Sequence, residues 1–149
     1  GNHHYGVLVQ RYADYLFGLG MRLTGGNREL AEDISQQSFL KSYAYLKSFD
    51  SRKTYKYWLT GIAVNCFKDM SKKEQQYTDL AVGSEPSYSP QLEGDTGFFN
   101  LIKPLTEDEK ILFTLKYIYE YQINDIAGFL DLKPGTVKSK ISRALEKLK

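Results

Sequence analysis

The chain has 149 residues, of which 42% are hydrophobic and 26% charged, with a net charge of +2 and one cysteine. That length holds one ordinary domain or two small ones, and the balance of residues excludes a disordered chain. A lone Cys66 excludes an internal disulfide framework; it reads as a small buried hydrophobe in a reducing cytoplasm.

In chain order the pattern is helical nearly throughout. Leu8, Tyr12, Leu16, Leu19 and Leu23 recur at three- and four-residue steps, predicting an amphipathic helix over Tyr5–Leu23. Thr24-Gly25-Gly26-Asn27 stops it, because Gly and Asn enter the left-handed region readily. A second helix is predicted from about Arg28 to Lys47, then a charged loop, Ser48 to Thr54, with Phe49 inside it. A third runs from about Tyr55 to Lys73, with Leu59, Ile62, Ala63, Cys66 and Met70 on its apolar side.

From Gln75 to Gly97 the periodicity disappears among Gly, Pro, Ser, Asp and Glu, the composition of a linker. Leu105-Thr106-Glu107-Asp108-Glu109 contains a Thr-x-x-Glu capping box that opens a helix bearing Ile111, Leu112, Leu115, Ile118 and Tyr119 on one side. Ile123–Leu130 and Pro134–Leu148 follow, separated by Asp131-Leu132-Lys133. The expected fold class is all-α, with two small helical domains, 1–73 and 105–149, joined by a flexible acidic linker, 74–104.

Charge follows that division. Residues 1–73 carry eleven Lys/Arg against six Asp/Glu, 74–104 one against five, and 105–149 eight against seven. Two neutral-to-basic blocks around an acidic spacer suggest a polyanion partner for the blocks. No stretch approaches the ~20 apolar residues that span a bilayer, and no charged-then-apolar leader is seen. His3 and His4 have no Cys or His at ligand spacing, so neither a metal nor another cofactor is expected.

The last two helices have the plan of a helix-turn-helix. Ile126, Ala127 and Leu130 on the first face Val137, Ile141, Leu145 and Leu148 on the second, and Pro134 suits a first helical position. Thr136, Lys138, Ser139, Lys140, Ser142 and Arg143 are then left outward, hydroxyl and cationic groups suited to phosphates and base edges. A merely solvated Lys-rich face has the same pattern.

The third helix carries a polar stripe, Asn65, Lys68, Asp69 and Lys72, extended by Lys73. Ahead of it, Tyr55, Tyr57 and Trp58 are interleaved with Arg52, Lys53 and Lys56, a mixture suited to single-stranded nucleic acid, where bases stack on rings and cations track phosphates. Trp58 reads equally as core. On the second helix Asp33, Gln36 and Gln37 share one face beside Glu32, a poor phosphate binder that suits an Arg-bearing protein partner, or simply a wet face.

Taken in succession, "LTGGNRELAEDISQQSFLKSYAYLKSF", "YWLTGIAVNCFKDMSKK" and, after a polar spacer, "LTEDEKILFTLKYIYEYQINDIAGFLDLKPGTVKSKISRALEKLK" resemble a bacterial extracytoplasmic-function (ECF) sigma factor of the sigma-70 class. The resemblance covers about 5–73 and 104–149. It implies a cytoplasmic promoter-specificity subunit without catalysis of its own, whose partners are core RNA polymerase, promoter DNA and an anti-sigma factor. By the same resemblance, Asp33, Gln36 and Gln37 dock on the coiled coil of the largest polymerase subunit. Arg52, Lys53, Tyr55 and Lys56, with Asn65, Lys68, Asp69 and Lys72 behind them, recognise the −10 element and a base flipped from the non-template strand. Thr136, Lys138, Ser139, Lys140 and Arg143 read the −35 element.

Some residues depart from that pattern. Asp131 replaces the usual turn glycine, and Lys133 the usual capping Ser of the recognition helix, a deficit of about 1 kcal/mol. Gln122 and Asn124 stand where Ser and Glu are commoner, and Gln37 where an acidic residue is usual. Two other readings use the same residues: a stand-alone helix-turn-helix regulator with 5–73 as a dimerisation or sensing domain, and a sigma-like adaptor that binds polymerase but not promoter DNA. The regulator reading leaves the Asp33/Gln36 face and the loop aromatics idle. An enzyme is not expected, because no Ser-His-Asp, Cys-His or metal cluster is present and both histidines sit at positions 3 and 4.

Overall fold

A computed structural model describes residues 2–50, 52–80 and 96–149 as helices and short connections, with no strand among the described residues. They form two compact units, 1–90 and 91–149. The middle of the spacer, 81–95, lies outside the described residues, as do the side chains of His3, His4, Leu8 and Lys73.

The first unit holds α1 (Asn2–Thr24), α2 (Arg28–Ala44), a 3₁₀ turn (Leu46–Ser48) and α3 (Tyr55–Leu80). Each helix packs on the other two. The periodic residues of α1 point inward as the pattern predicts: Leu16, Leu19 and Leu23 are buried, as are Ala31 and Ile34 of α2 and Leu59, Ala63 and Val64 of α3. Cys66 is buried among them, and burial pushes its thiol above the ordinary value.

The turn after α1 works through backbone geometry. Gly25 and Gly26 take positive φ, 71° and 100°, and the Gly26 N–H donates to Met21 C=O at 2.8 Å, closing a Schellman motif. Asn27 is extended rather than left-handed: it caps α2, its side-chain oxygen accepting the Leu30 N–H at 3.1 Å. Thr54 does the same for α3, accepting the Tyr57 N–H at 3.1 Å.

Both inner boundaries of the spacer differ from the pattern. Helix α3 continues past Lys73 to Leu80, because Glu74, Gln75 and Gln76 are good helix formers although they extend no apolar stripe. Helix α4 (Thr96–Ile102) occupies part of the expected linker and delivers Phe99 and Ile102 to the core of the second unit.

That unit continues through α5 (Glu107–Phe113), a π-helical turn (Thr114–Ile118), α6 (Ile123–Leu130) and α7 (Pro134–Lys147). The capping box is present in both directions: the Glu109 N–H donates to Thr106 Oγ1 at 3.2 Å and the Thr106 N–H to Glu109 Oε1 at 2.9 Å. Helix α7 packs on α5 and α6. Ile102, Leu105, Phe113 and Ala144 make one buried cluster, with Phe98 and Leu148 against it.

Two expected core positions are corrected. Ile118 is 42% exposed, since the π turn adds a residue to the helical circuit and rotates the end of the helix away from the face of Ile111, Leu112 and Leu115. Leu145 is 38% exposed and Ala144 fully buried in its place.

Candidate nucleic-acid interface

The outward face of α7 begins with how α6 ends. Asp131 sits in the left-handed region at φ 53° and ψ 48°, a conformation that glycine would take more readily, and the Leu132 N–H donates to Ala127 C=O at 3.0 Å. Lys133 is extended and gives α7 no side-chain cap, so Pro134 opens the helix with its fixed φ alone. Buried Val137, Ile141 and Ala144 hold one side of α7 on the unit. Thr136, Lys138, Ser139, Ser142 and Arg143 are exposed on the other.

Those outward groups are not equivalent. Lys138 and Arg143 pair with no side chain among the described residues. Ser139 Oγ donates to Gly135 C=O at 3.1 Å, one turn back on its own helix. Lys140 is half-buried, its Nζ 3.5 Å from Asp108 on α5. Farther along the helix, Lys147 Nζ donates to Glu109 Oε1 at 2.6 Å. Burial would raise the Glu109 carboxyl, but the Lys147 ammonium and the Thr106 amide and hydroxyl more than offset it and hold the group below its ordinary 4.5.

Before α3 the described residues bond locally. Asp50 accepts the Arg52 N–H at 3.0 Å and both guanidinium donors, Nε at 3.1 Å and Nη2 at 3.0 Å. The Arg52 hydrogen bonds lower the Asp50 carboxyl below its ordinary value. Behind the loop lies a ring cluster. Tyr55 lies 5.3 Å from Tyr12, 5.8 Å from Phe49 and 5.7 Å from Trp58, and Phe49 and Trp58 are 5.3 Å apart, all centroid to centroid. Lys53 stands 5.0 Å over Tyr57 and Lys56 4.6 Å over Tyr15, cation–π contacts of exposed lysine side chains.

The structure thus brings Tyr55, Lys53 and Lys56 together with rings that the sequence pattern did not assign to the site. Tyr12 and Tyr15 of α1 and Phe49 pack against these residues; only Tyr12's place in the apolar stripe and Phe49's place inside the loop hinted at contact. Trp58 is half-buried and spends its ring on Phe49 and Tyr55. Along α3, Asn65, Asp69 and Lys72 are exposed and Lys68 is half-buried. Asn65 Nδ2 donates to Gly61 C=O at 2.8 Å, and Asp69 lies 3.9 Å from Lys41 of α2.

On α2, Asp33, Gln36 and Gln37 are all exposed, while Ala31, Ile34, Ser38 and Phe39 turn inward. Asp33 pairs with no side chain among the described residues. Toward the end of the helix the surface turns apolar: Leu40 and Tyr45 are each 62% exposed, with Tyr43 and Leu46 beside them in sequence. Among the described residues no group of His, Cys, Asp and Glu could hold a metal ion, and no helix is long and apolar enough to cross a membrane.

Comparison with known proteins gives these surfaces a family. The family model Sigma-70 region 2 matches residues 8–77, and Sigma-70, region 4 matches residues 99–148. The ECF RNA polymerase sigma factor SigW of Bacillus subtilis (strain 168) is 32% identical over 95% of this chain and 85% of its own. The ECF RNA polymerase sigma-E factor of Haemophilus influenzae is 29% identical over 95% and 84%. In fold the chain is similar to the sigma factor RpoE of Bartonella quintana, solved with the anti-sigma factor NepR, with a TM-score of 0.78 at 22% identity over 97% of this chain and 94% of that one. CnrH, solved with the cytosolic domain of CnrY, gives 0.66 at 20% identity, over 99% of this chain and 86% of its own. The chain belongs to the sigma-70 family, as an extracytoplasmic-function RNA polymerase sigma factor.

Proposed function

We propose a division of labour within a chain whose family makes it a promoter-specificity subunit, one that binds core RNA polymerase and directs transcription initiation at promoter DNA. The supporting observation is the succession of two matched regions, each on its own compact unit and each with a polar or cationic face turned outward. The first unit binds polymerase and the −10 element, and the second, which includes α4, binds the −35 element.

On the first unit, Asp33, Gln36 and Gln37 meet the largest polymerase subunit, where an unpaired carboxylate suits Arg-bearing partners. Arg52, Lys53, Tyr55 and Lys56 take the −10 strand. Extruding a base costs a few kcal/mol of stacking, and a loop already fixed by Asp50, Thr54 and the ring cluster loses little entropy when it receives one. Asn65, Lys68, Asp69 and Lys72 flank that strand. On the second unit, the exposed Thr136, Lys138, Ser139 and Arg143 face the −35 major groove, and Lys140, half-buried beside Asp108, stands at the edge of that face.

Members of the family regulate transcription initiation without catalysing a reaction themselves, and this chain carries no chemistry of its own in the cytoplasm where polymerase works. An anti-sigma protein is a further partner, as NepR is for the Bartonella factor. A stand-alone regulator would leave the Asp33 face and the ordered loop idle. To test this, core polymerase supplemented with the chain would transcribe a pool of bacterial genomic fragments, and transcript 5′ ends would be mapped. Starts that share two short upstream elements at fixed spacing are expected. A start-site distribution equal to that of core polymerase alone would refute the proposal.

A further inference from the structure

Among the outward residues of α7, Lys140 stands apart. Its side chain is 30% exposed, and its Nζ lies 3.5 Å from Asp108 Oδ2 at the start of α5. Three acidic residues fill that first turn, Glu107, Asp108 and Glu109. Glu109 is already committed, closing the capping box and accepting Lys147 at 2.6 Å. That second bond fixes α7 on α5 one helical stretch beyond Lys140, so the Lys140 ammonium is held within reach of Asp108. Lys140 is the one charged side chain that Asp108 meets among the described residues.

We infer that Asp108 is a specificity-determining residue whose carboxylate occupies Lys140 in place of a DNA phosphate. The inference rests on α7 facing DNA. Phosphate contacts supply affinity without sequence information, and each cation that engages a phosphate releases counterions and steepens the salt dependence. With Lys140 held by Asp108, α7 offers DNA the free cations Lys138 and Arg143, and a larger share of its binding falls to base edges. A part-exposed pair at this distance is weak, so the restraint is a matter of severalfold in affinity rather than a block.

The effect separates from a general field of negative charge. An acidic residue that merely repelled DNA would act whether or not Lys140 were present. One that acts through Lys140 would lose its effect when Lys140 is removed, which a double-mutant cycle reads directly.

The test is fluorescence anisotropy of the full chain with a random-sequence DNA duplex, titrated between about 50 and 200 mM salt. Asp108→Asn is expected to tighten binding and steepen the log–log salt slope by ~0.9, about a 3.5-fold greater loss of affinity across that range. Asp108→Ser should reproduce the gain, and the thermal melt of each variant should fall by no more than the loss of one first-turn carboxylate allows, with the fold kept. Lys140→Ala should leave the slope unchanged, and adding Asp108→Asn to it should change neither affinity nor slope. A lower slope for Lys140→Ala, an Asp108→Asn gain that persists without Lys140, or no gain in either Asp108 variant would overturn the inference. Lys138→Ala reads the underlying assignment separately: a slope lower by ~0.9 supports a DNA-facing α7, and an unchanged slope removes that assignment and the inference together.

Discussion

Asp131 holds the turn of the helix-turn-helix in a left-handed conformation, φ 53°, where its Cβ crowds the following carbonyl. Asp tolerates this better than most residues but still less well than glycine, and its side chain is exposed, so little packing is at stake. Asp131→Gly is expected to stabilise the second unit by up to about 1 kcal/mol, and Asp131→Val to destabilise it by more, as measured by urea unfolding. Glu109 offers a pH test. Its carboxyl is held below 4.5, so between the folded value and the ordinary one the folded chain binds fewer protons than the unfolded chain. Its contribution is therefore complete above about pH 4.5 and is lost as pH falls through the lower, folded value. Urea unfolding followed on the amide signals of α5 and α7 should show this loss, and Glu109→Gln should flatten it while costing about 1 kcal/mol at neutral pH. At this scale the sequence announced what is local. The capping box, the missing Lys133 cap and the strained Asp131 could all be read from neighbours a few positions away. The pairings Lys140–Asp108 and Lys147–Glu109 could not, because they depend on how α7 crosses α5.

Helix bounds were legible where the ends carry their own signals. Ile123–Leu130 and the start of α7 at Pro134 follow the pattern, and so does the start of α3 after Thr54. Where the signal was an extrapolated period, it drifted. Ile118 was expected inside because 3.6-residue spacing was carried across Thr114–Ile118, where the chain makes a π turn instead. The end of α3 was placed early because polar residues prolong a helix without marking a buried face. The approach of α1 to α2 was also invisible. A Cβ on Gly20 would stand 3.0 Å from Ala31 Cα and 3.1 Å from Ala31 Cβ, so the two helices meet at a contact where any larger residue needs α2 to give by a few tenths of an ångström. Gly20→Ala is expected to push α2 back by a few tenths of an ångström, a strain that outweighs the better helix propensity of Ala and leaves a net loss of about 1 kcal/mol in chemical denaturation followed by Trp58 fluorescence. An unchanged midpoint would mean that the helices part without loss.

For the whole molecule, the family was legible because its blocks follow one another in order, each weak alone and specific in succession. The division into an α2 face, a −10 loop and a −35 helix is compatible with the geometry to different degrees. The α2 face is open. At the proposed −10 surface most rings are turned on each other, which would leave fewer of them to stack on a flipped base than the composition suggests. The recognition helix is partly neutralised by its own unit. Polymerase binding is the property that separates a sigma subunit from a stand-alone regulator, and Asp33 is the exposed, unpaired carboxylate on which that binding is proposed to turn. Asp33→Arg lies on a solvent face, so its effect on stability should stay within about 0.5 kcal/mol. The direct measurement is gel filtration of the purified chain mixed with bacterial core RNA polymerase, run for the parent and for Asp33→Arg. Co-elution at one to one, lost in the variant while its melting profile is kept, is the expected result. Separate elution of the parent chain, with duplex DNA still bound, would contradict a sigma subunit and leave a stand-alone regulator.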